Sequence, residues 1–174
     1  MDDPHHPLLT NKAIRDNAYI SITSDFSIIE LTVIKSMRNQ HPIEIFRCAN
    51  HDSGVAFFSD PLLCDETLIA EVKPSPNSDL YCHRNQTDQL MVLRGSLDLM
   101  ILQNKTFQCI HLCDTDRLWV KIPPCIPHAA INRTSESVVL VNAIQRHGPV
   151  DPRDYKARPI PNFLQQEWRR LQAS

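Results

Sequence analysis

Two histidines carry the chemistry that this sequence can support. His83 lies in Tyr81-Cys82-His83-Arg84-Asn85, and His128 ends Pro123-Pro124-Cys125-Ile126-Pro127-His128. An imidazole titrates near neutrality, so it can remove an acidic proton beside a ketone. On an extended chain, side chains two apart share a face. Tyr81 and Asn85 therefore accompany His83, and Tyr81 can return a proton. The enolate formed by proton removal needs a donor, which Arg94, Lys121 or His128 can supply. With His83 as base, His128 and Tyr81 as its partners, and no cofactor, these groups suit epimerisation or ketoisomerisation.

A second chemistry uses the same histidines as ligands. Two imidazoles and a third donor suit divalent zinc, iron, manganese or nickel. Gln89 is the third donor expected here. Asp88 is set aside, because on a strand it points away from Gln89. A third alternative is a barrel that binds a small molecule without turning it over.

The elements that must position these groups read as short strands. Ile29, Leu31 and Val33 alternate with Glu30, Thr32 and Ile34 within 19–35, the period of a half-buried strand. Further strands are expected over 43–48, 55–59, 68–72, 80–85, 89–94, 97–102, 107–113, 118–122, 129–131 and 138–144. Turn signals such as Arg94-Gly95, Gln103-Asn104-Lys105 and Asp114-Thr115-Asp116 separate them. Short strands at regular spacing indicate a sandwich or barrel. In this pattern Gln89 and Met91 line the cavity beside His83. Asn142 shares a face with Leu140 and needs a partner there. Arg146 follows the last strand and can meet a phosphate or carboxylate at the barrel mouth.

Residues 1–17 are expected to form an arm, 18–150 the barrel, and 151–174 an extended tail with a final helix. Asn162 is the expected cap of that helix. Leu164, Trp168 and Leu171 make one apolar stripe along it, suited to the barrel or to a second copy in a homodimer.

The 174 residues have a net charge of −2, from 18 basic and 20 acidic side chains, with no basic run. That composition gives no nucleic-acid stripe. No apolar run reaches the roughly 18–20 residues of a membrane span. The polar start, Met1-Asp2-Asp3-Pro4, is not a secretory signal, so the cytoplasm is the expected location. The 6 cysteines are read as mostly reduced small hydrophobes. Cys109, His111 and Cys113 alternate along one strand, with steps of about 6–7 Å that chelate poorly.

The two histidine motifs resemble those of the cupin superfamily, a jelly-roll barrel. In the first, His83 stands at the leading histidine, Asn85 at the second, Gln89 at the glutamate and Gly95 at the closing glycine. In the second, Pro123, His128 and Asn132 match, and Cys125 replaces a glycine. Among cupins the chain is similar to sugar-nucleotide epimerases and isomerases, including the dTDP-4-dehydrorhamnose 3,5-epimerases. The stretch 90–98, the turn Ile122-Pro123-Pro124 into His128, and Arg153-Asp154-Tyr155 carry that likeness. The chain departs from this branch in three places. Tyr81-Cys82 stands where Arg-Gly precedes the family's catalytic histidine. The strand after His83 has no matching lysine, and 138–144 contains no tyrosine. The resemblance implies an all-β fold: a single cupin jelly-roll barrel with a short C-terminal helix. It also implies a nucleotide-linked keto-sugar substrate.

Overall fold

A computed structural model describes residues 42–50, 57–58, 61–75 and 78–173. The expected arm, the strand over 19–35 and most of 55–59 lie outside them. Ten strands and one α-helix are described: β1 Glu44–Arg47, β2 Ala49–Asn50, β3 Phe57–Phe58, β4 Glu66–Val72, β5 Gln86–Arg94, β6 Ser96–Gln103, β7 Thr106–Cys113, β8 Leu118–Ile122, β9 His128–Ile131, β10 Val138–Arg146 and α1 Gln165–Ala173.

Two antiparallel sheets build the core. One has five strands in the order β1-β8-β5-β10-β4, the other three in the order β7-β6-β9, and β2 pairs with β3 separately. Leu90, Val92, Val120, Ile122 and Leu140 of the larger sheet pack with Leu97, Leu99, Ile101, Ile110 and Leu112 of the smaller. Because side chains alternate along a strand, this core fixes the inner positions. They are even-numbered on β5, β8 and β10 and odd-numbered on β6. The outer face of the smaller sheet has its own core. Met100, Ala129 and Ile131 pack there with Leu80 and Trp168.

The all-β expectation and the C-terminal helix both hold. Several strands run longer than their sequence signals. β5 begins at Gln86 rather than Gln89. Gln-Thr-Asp has turn-like composition, but here all three side chains are buried and hydrogen-bonded. The expected strand over 80–85 is reduced to bridges, Leu80 with Arg158 and Tyr81 with His128. Gly95 joins β5 to β6 with φ +87°, and a Cβ there would lie 3.2 Å from a Val138 methyl. Its left-handed backbone is one that glycine adopts at low cost.

The tail is less extended than its proline content suggests. Pro152–Tyr155 forms a 3₁₀ turn that buries Asp154. The Asp154 carboxylate accepts from the Arg84 backbone N–H at 3.2 Å and from its guanidinium at 2.9 Å. The final helix is entered through a 3₁₀ turn capped at Pro161, with no side-chain cap, so Asn162 lies inside the turn. The expected stripe does face the protein: Leu164 and Trp168 are buried and Leu171 packs beside them. The Trp168 indole lies 5.0 Å from the Phe107 ring, centroid to centroid.

Trp168→Ala should destabilise the fold by about 3–5 kcal/mol, the usual cost of deleting a buried aromatic. Phe163→Ala, at a residue 66% exposed, should change stability by less than about 0.5 kcal/mol. Denaturant titration of both variants checks this, and equal losses would contradict the packing described.

Candidate functional site

Backbone bonds bring the two histidine motifs together. Tyr81 and His128 exchange N–H···O bonds of 2.9 Å in each direction, and Cys125 N–H donates to the His83 carbonyl at 2.6 Å. Cys125 has φ +66°, in the left-handed region that favours glycine. This is the position where the motif calls for glycine. His128 opens β9 opposite Ile101, on the inner face of the smaller sheet. The imidazoles of His83 and His128 meet with ring centroids 5.4 Å apart.

Between them sits Asp88. Its side chain shares the inner face of β5 with Leu90 and Val92, and it is 2% exposed. Oδ1 accepts from Gln86 Nε2 at 2.7 Å and from Asn142 Nδ2 at 2.8 Å. Oδ2 faces both imidazoles, 3.7 Å from His83 Nε2 and 3.7 Å from His128 Nε2. Among the described residues, His83, Asp88 and His128 are the only such group with donor atoms all within 4.8 Å of one another.

The orientation of both amides follows from their other partners. Asn142 Oδ1 accepts from the Gln89 backbone N–H at 3.0 Å, so its nitrogen must face Asp88. Gln86 Oε1 accepts from the Arg146 guanidinium, so its nitrogen faces Asp88 too. A guanidinium and a backbone N–H can only donate. Oδ1 therefore receives two N–H bonds and carries no proton. Any proton or cation shared with the imidazoles is held through Oδ2.

The histidines differ in surroundings. His128 Nδ1 lies 2.9 Å from the Ile126 carbonyl. A carbonyl only accepts, so Nδ1 carries the hydrogen, and Nε2 of the neutral ring presents its lone pair toward Asp88. Burial pushes the His128 pKa down, and the neighbouring His83 adds to that shift. The Asp88 charge and the Ile126 hydrogen bond oppose it without reversing it. His83 is the more exposed partner, with 20% of its side chain accessible against 12% for His128.

The other residues singled out in the sequence divide clearly. Asn142 faces the cluster, but it acts on Asp88, and Arg146 reaches it through Gln86. Arg146 also forms paired 2.9 Å bonds to Glu66. Gln89 does not join the cluster. Leu90 and Val92 take the inner face of β5, so Gln89 points outward and donates to the carbonyls of Leu63 at 3.0 Å and Ala143 at 2.9 Å. Met91 points the same way, with Cys48 Sγ 3.7 Å from its sulfur. Lys121 lies on the outer face of β8 and pairs with Glu44 at 3.3 Å. Arg94 ends β5 six residues beyond Asp88, roughly 20 Å along the strand. Tyr81 lines an outer hollow with Ser78, Asp79, Trp168 and Gln172. The chain is irregular at 82–85, so alternation does not carry Tyr81 inward with His83. Asn85 Nδ2 donates to the Pro149 carbonyl at 2.8 Å, tying down the loop after β10.

All 6 cysteines are free thiols. Burial pushes the Cys82 thiol up, the opposite of what a nucleophile beside His83 needs. His111 Nδ1 instead lies 2.9 Å from Asp98 Oδ1 at the surface.

No protein-family model and no curated protein matches the sequence. The fold does match solved structures. A mutant of the 3,4-ketoisomerase QdtA from Thermoanaerobacterium thermosaccharolyticum, in complex with TDP-4-keto-6-deoxyglucose, is 15% identical, with a TM-score of 0.52 over 68% of this chain and 87% of that one. The dTDP-4-dehydrorhamnose 3,5-epimerase from Elizabethkingia anophelis is 12% identical, with a TM-score of 0.53 over 68% and 76%. NovW, a 4-keto-6-deoxy sugar epimerase from Streptomyces spheroides, is 12% identical, with a TM-score of 0.53 over 71% of each chain. The chain has the jelly-roll fold of these proteins.

The lowered His128 pKa fixes the sign of a pH effect. The unfolded ring, near its ordinary value of about 6.5, binds a proton before the folded ring does. The contribution of His128 to stability is therefore present above about pH 6.5 and lost as pH falls through the folded value. In chelator-treated protein, melting temperature should fall from pH 7 to pH 5, and less steeply in His128→Gln. Equal slopes in parent and variant would contradict the burial argument.

Proposed function

We propose that this protein is a small-molecule enzyme that moves a proton on a nucleotide-linked keto sugar, with His83 as base. The observation that carries the reading is the His83–Asp88–His128 cluster, in which His83 is the member most accessible to a substrate. The names of the structural neighbours support the substrate class. In this mechanism His83 Nε2 faces Asp88, and Nδ1 is the nitrogen left for substrate. Nδ1 takes a proton from the carbon beside the ketone, and the C–H electron pair moves through the new C=C bond onto the ketone oxygen. The imidazolium formed is stabilised by the adjacent Asp88 carboxylate. Delivery of a water proton to the other face of that carbon, while His83 gives its proton to solvent, gives an epimer. Protonating the former carbonyl carbon, while the neighbouring hydroxyl proton passes to the former ketone oxygen, gives a shifted ketone. Both products have the formula of the substrate.

Incubation with TDP-4-keto-6-deoxyglucose in D2O tests this, with solvent deuterium incorporation followed by mass spectrometry. The parent should exchange, and His83→Ala should lose about 10²–10⁴-fold in rate. Undiminished exchange in His83→Ala would remove the base from this scheme, and no exchange in the parent would remove the reaction.

The convergence of the three donor atoms supports a second reading, a metal-dependent cupin. Two ligands about 2.1 Å from a tetrahedral ion lie about 3.4 Å apart, close to the 3.7 Å separations between Asp88 Oδ2 and each Nε2. The bare Nε2 of His128, oriented by its Nδ1 bond to Ile126, is the usual arrangement of a ligating histidine. The donors fit zinc, iron, manganese or nickel, held by His83, Asp88 and His128. Such an ion would act as a Lewis acid on a carbonyl oxygen. Elemental analysis should then find about one equivalent of metal per chain. It should be lost in Asp88→Ala and kept in Gln89→Ala. Protein purified without metal, or metal retained by Asp88→Ala, would exclude this site.

A further inference from the structure

Two glutamines on the smaller sheet hold buried amide atoms without partners. Gln103 is 2% exposed, and neither its amide oxygen nor its nitrogen has a hydrogen-bond partner among the described residues. The Gln108 amide oxygen is also buried and unpartnered. Buried amides normally find partners, because leaving them unmet costs their full desolvation.

Their register places both on the inner face that carries His128, Gln103 one strand from it and Gln108 two. Ile101 pairs with Gln108 on one side and with His128 on the other. The three side chains stand in a row on the inner face, continuous with Leu97 and Leu99. Gln103 follows Ile101 by two residues on that face, which makes it a diagonal neighbour of His128, about 7–8 Å away between Cα atoms. Trp119 Nε1 is also unpartnered, but Trp119 alternates with Leu118 and Val120 and lies on the outer face, away from the cluster.

We propose that Gln103 and Gln108 form a sugar-hydroxyl subsite at the floor of this site, beside His128. The inference rests on the keto-sugar reading and names what recognises the sugar. A primary amide offers a donor and an acceptor at once, and a hydroxyl answers both. A phosphate oxygen would leave the amide carbonyl unmet. Both side chains are neutral, so they suit the uncharged sugar better than the diphosphate. A site built to hydrogen-bond a hydroxyl rejects ligands lacking it, because the amide is then left unpaired.

Calorimetric binding of TDP-4-keto-6-deoxyglucose and of TDP alone tests the subsite, using the full chain and its Gln103→Leu and Gln108→Leu variants. The parent should bind the sugar nucleotide more tightly than TDP. Each variant should lose about tenfold or more of that preference, with TDP affinity unchanged. Their melting temperatures should hold or rise, since an unpartnered amide has been replaced by an apolar group. If the parent shows the preference and both variants keep it, the subsite is refuted while the keto-sugar reading stands. If the parent shows none, that reading fails, and the ligand assigned here fails with it. Should Gln103→Leu not fold, the less buried Gln108 decides the matter through its own variant.

Discussion

The arrangement of this site depends on one carboxylate oxygen. Asp88 is buried between two sheets, where an isolated charge is costly. Gln86 and Asn142 occupy Oδ1 and leave Oδ2 facing His83 and His128. The polarity of both amides is imposed from outside the cluster, by a guanidinium and a backbone N–H. The carboxylate is thereby turned to present a single oxygen to two imidazoles. The proposed proton transfer and the proposed metal binding would both begin from that geometry, on one scaffold.

The fold supplies the rest. His83 and His128 are distant in sequence, yet the Tyr81–His128 bonds and the Cys125–His83 bond lace their segments side by side. Asp88 comes from β5, beside β10 in the larger sheet, and His128 from β9 in the smaller one. The site therefore lies where the two sheets face each other, at the end opposite the Gly95 turn. Asp154 clamps Arg84, and Asn85 holds Pro149. Residues with the right chemistry for catalysis are used here to fix the segment that carries His83.

Much of this was legible in the residues themselves. The strand spacing, the two motifs and the helical stripe point to an all-β jelly-roll barrel with a C-terminal helix, and the two imidazoles do meet. The inward face of β5 was not legible. Leu90-Met91-Val92-Leu93 is apolar on both faces, so alternation gives no direction. An inward Gln89 would turn Asp88 outward, and the core packing of Leu90 and Val92 reverses that. The polar run 86–88 has turn composition and becomes strand because its side chains satisfy one another. Asn142 held the usable signal. An amide among Leu140, Val141 and Ala143 requires a buried polar partner, and across the sheet that partner is Asp88. Tyr81 was misplaced because its alternation with His83 presumed a regular strand, and 82–85 is irregular.

The central claim is that Asp88 couples the two imidazoles into one unit. Long-range ¹H–¹⁵N spectra of the histidine rings, recorded across pH for the parent and for Asp88→Asn, test it most directly. Coupled rings should both respond: in the parent at neutral pH, His128 should show a protonated Nδ1 and a bare Nε2. Removing the Asp88 charge should shift the Nε2 resonances of both His83 and His128. Ring spectra and titrations that are the same in Asp88→Asn as in the parent would contradict the coupling and the site built on it.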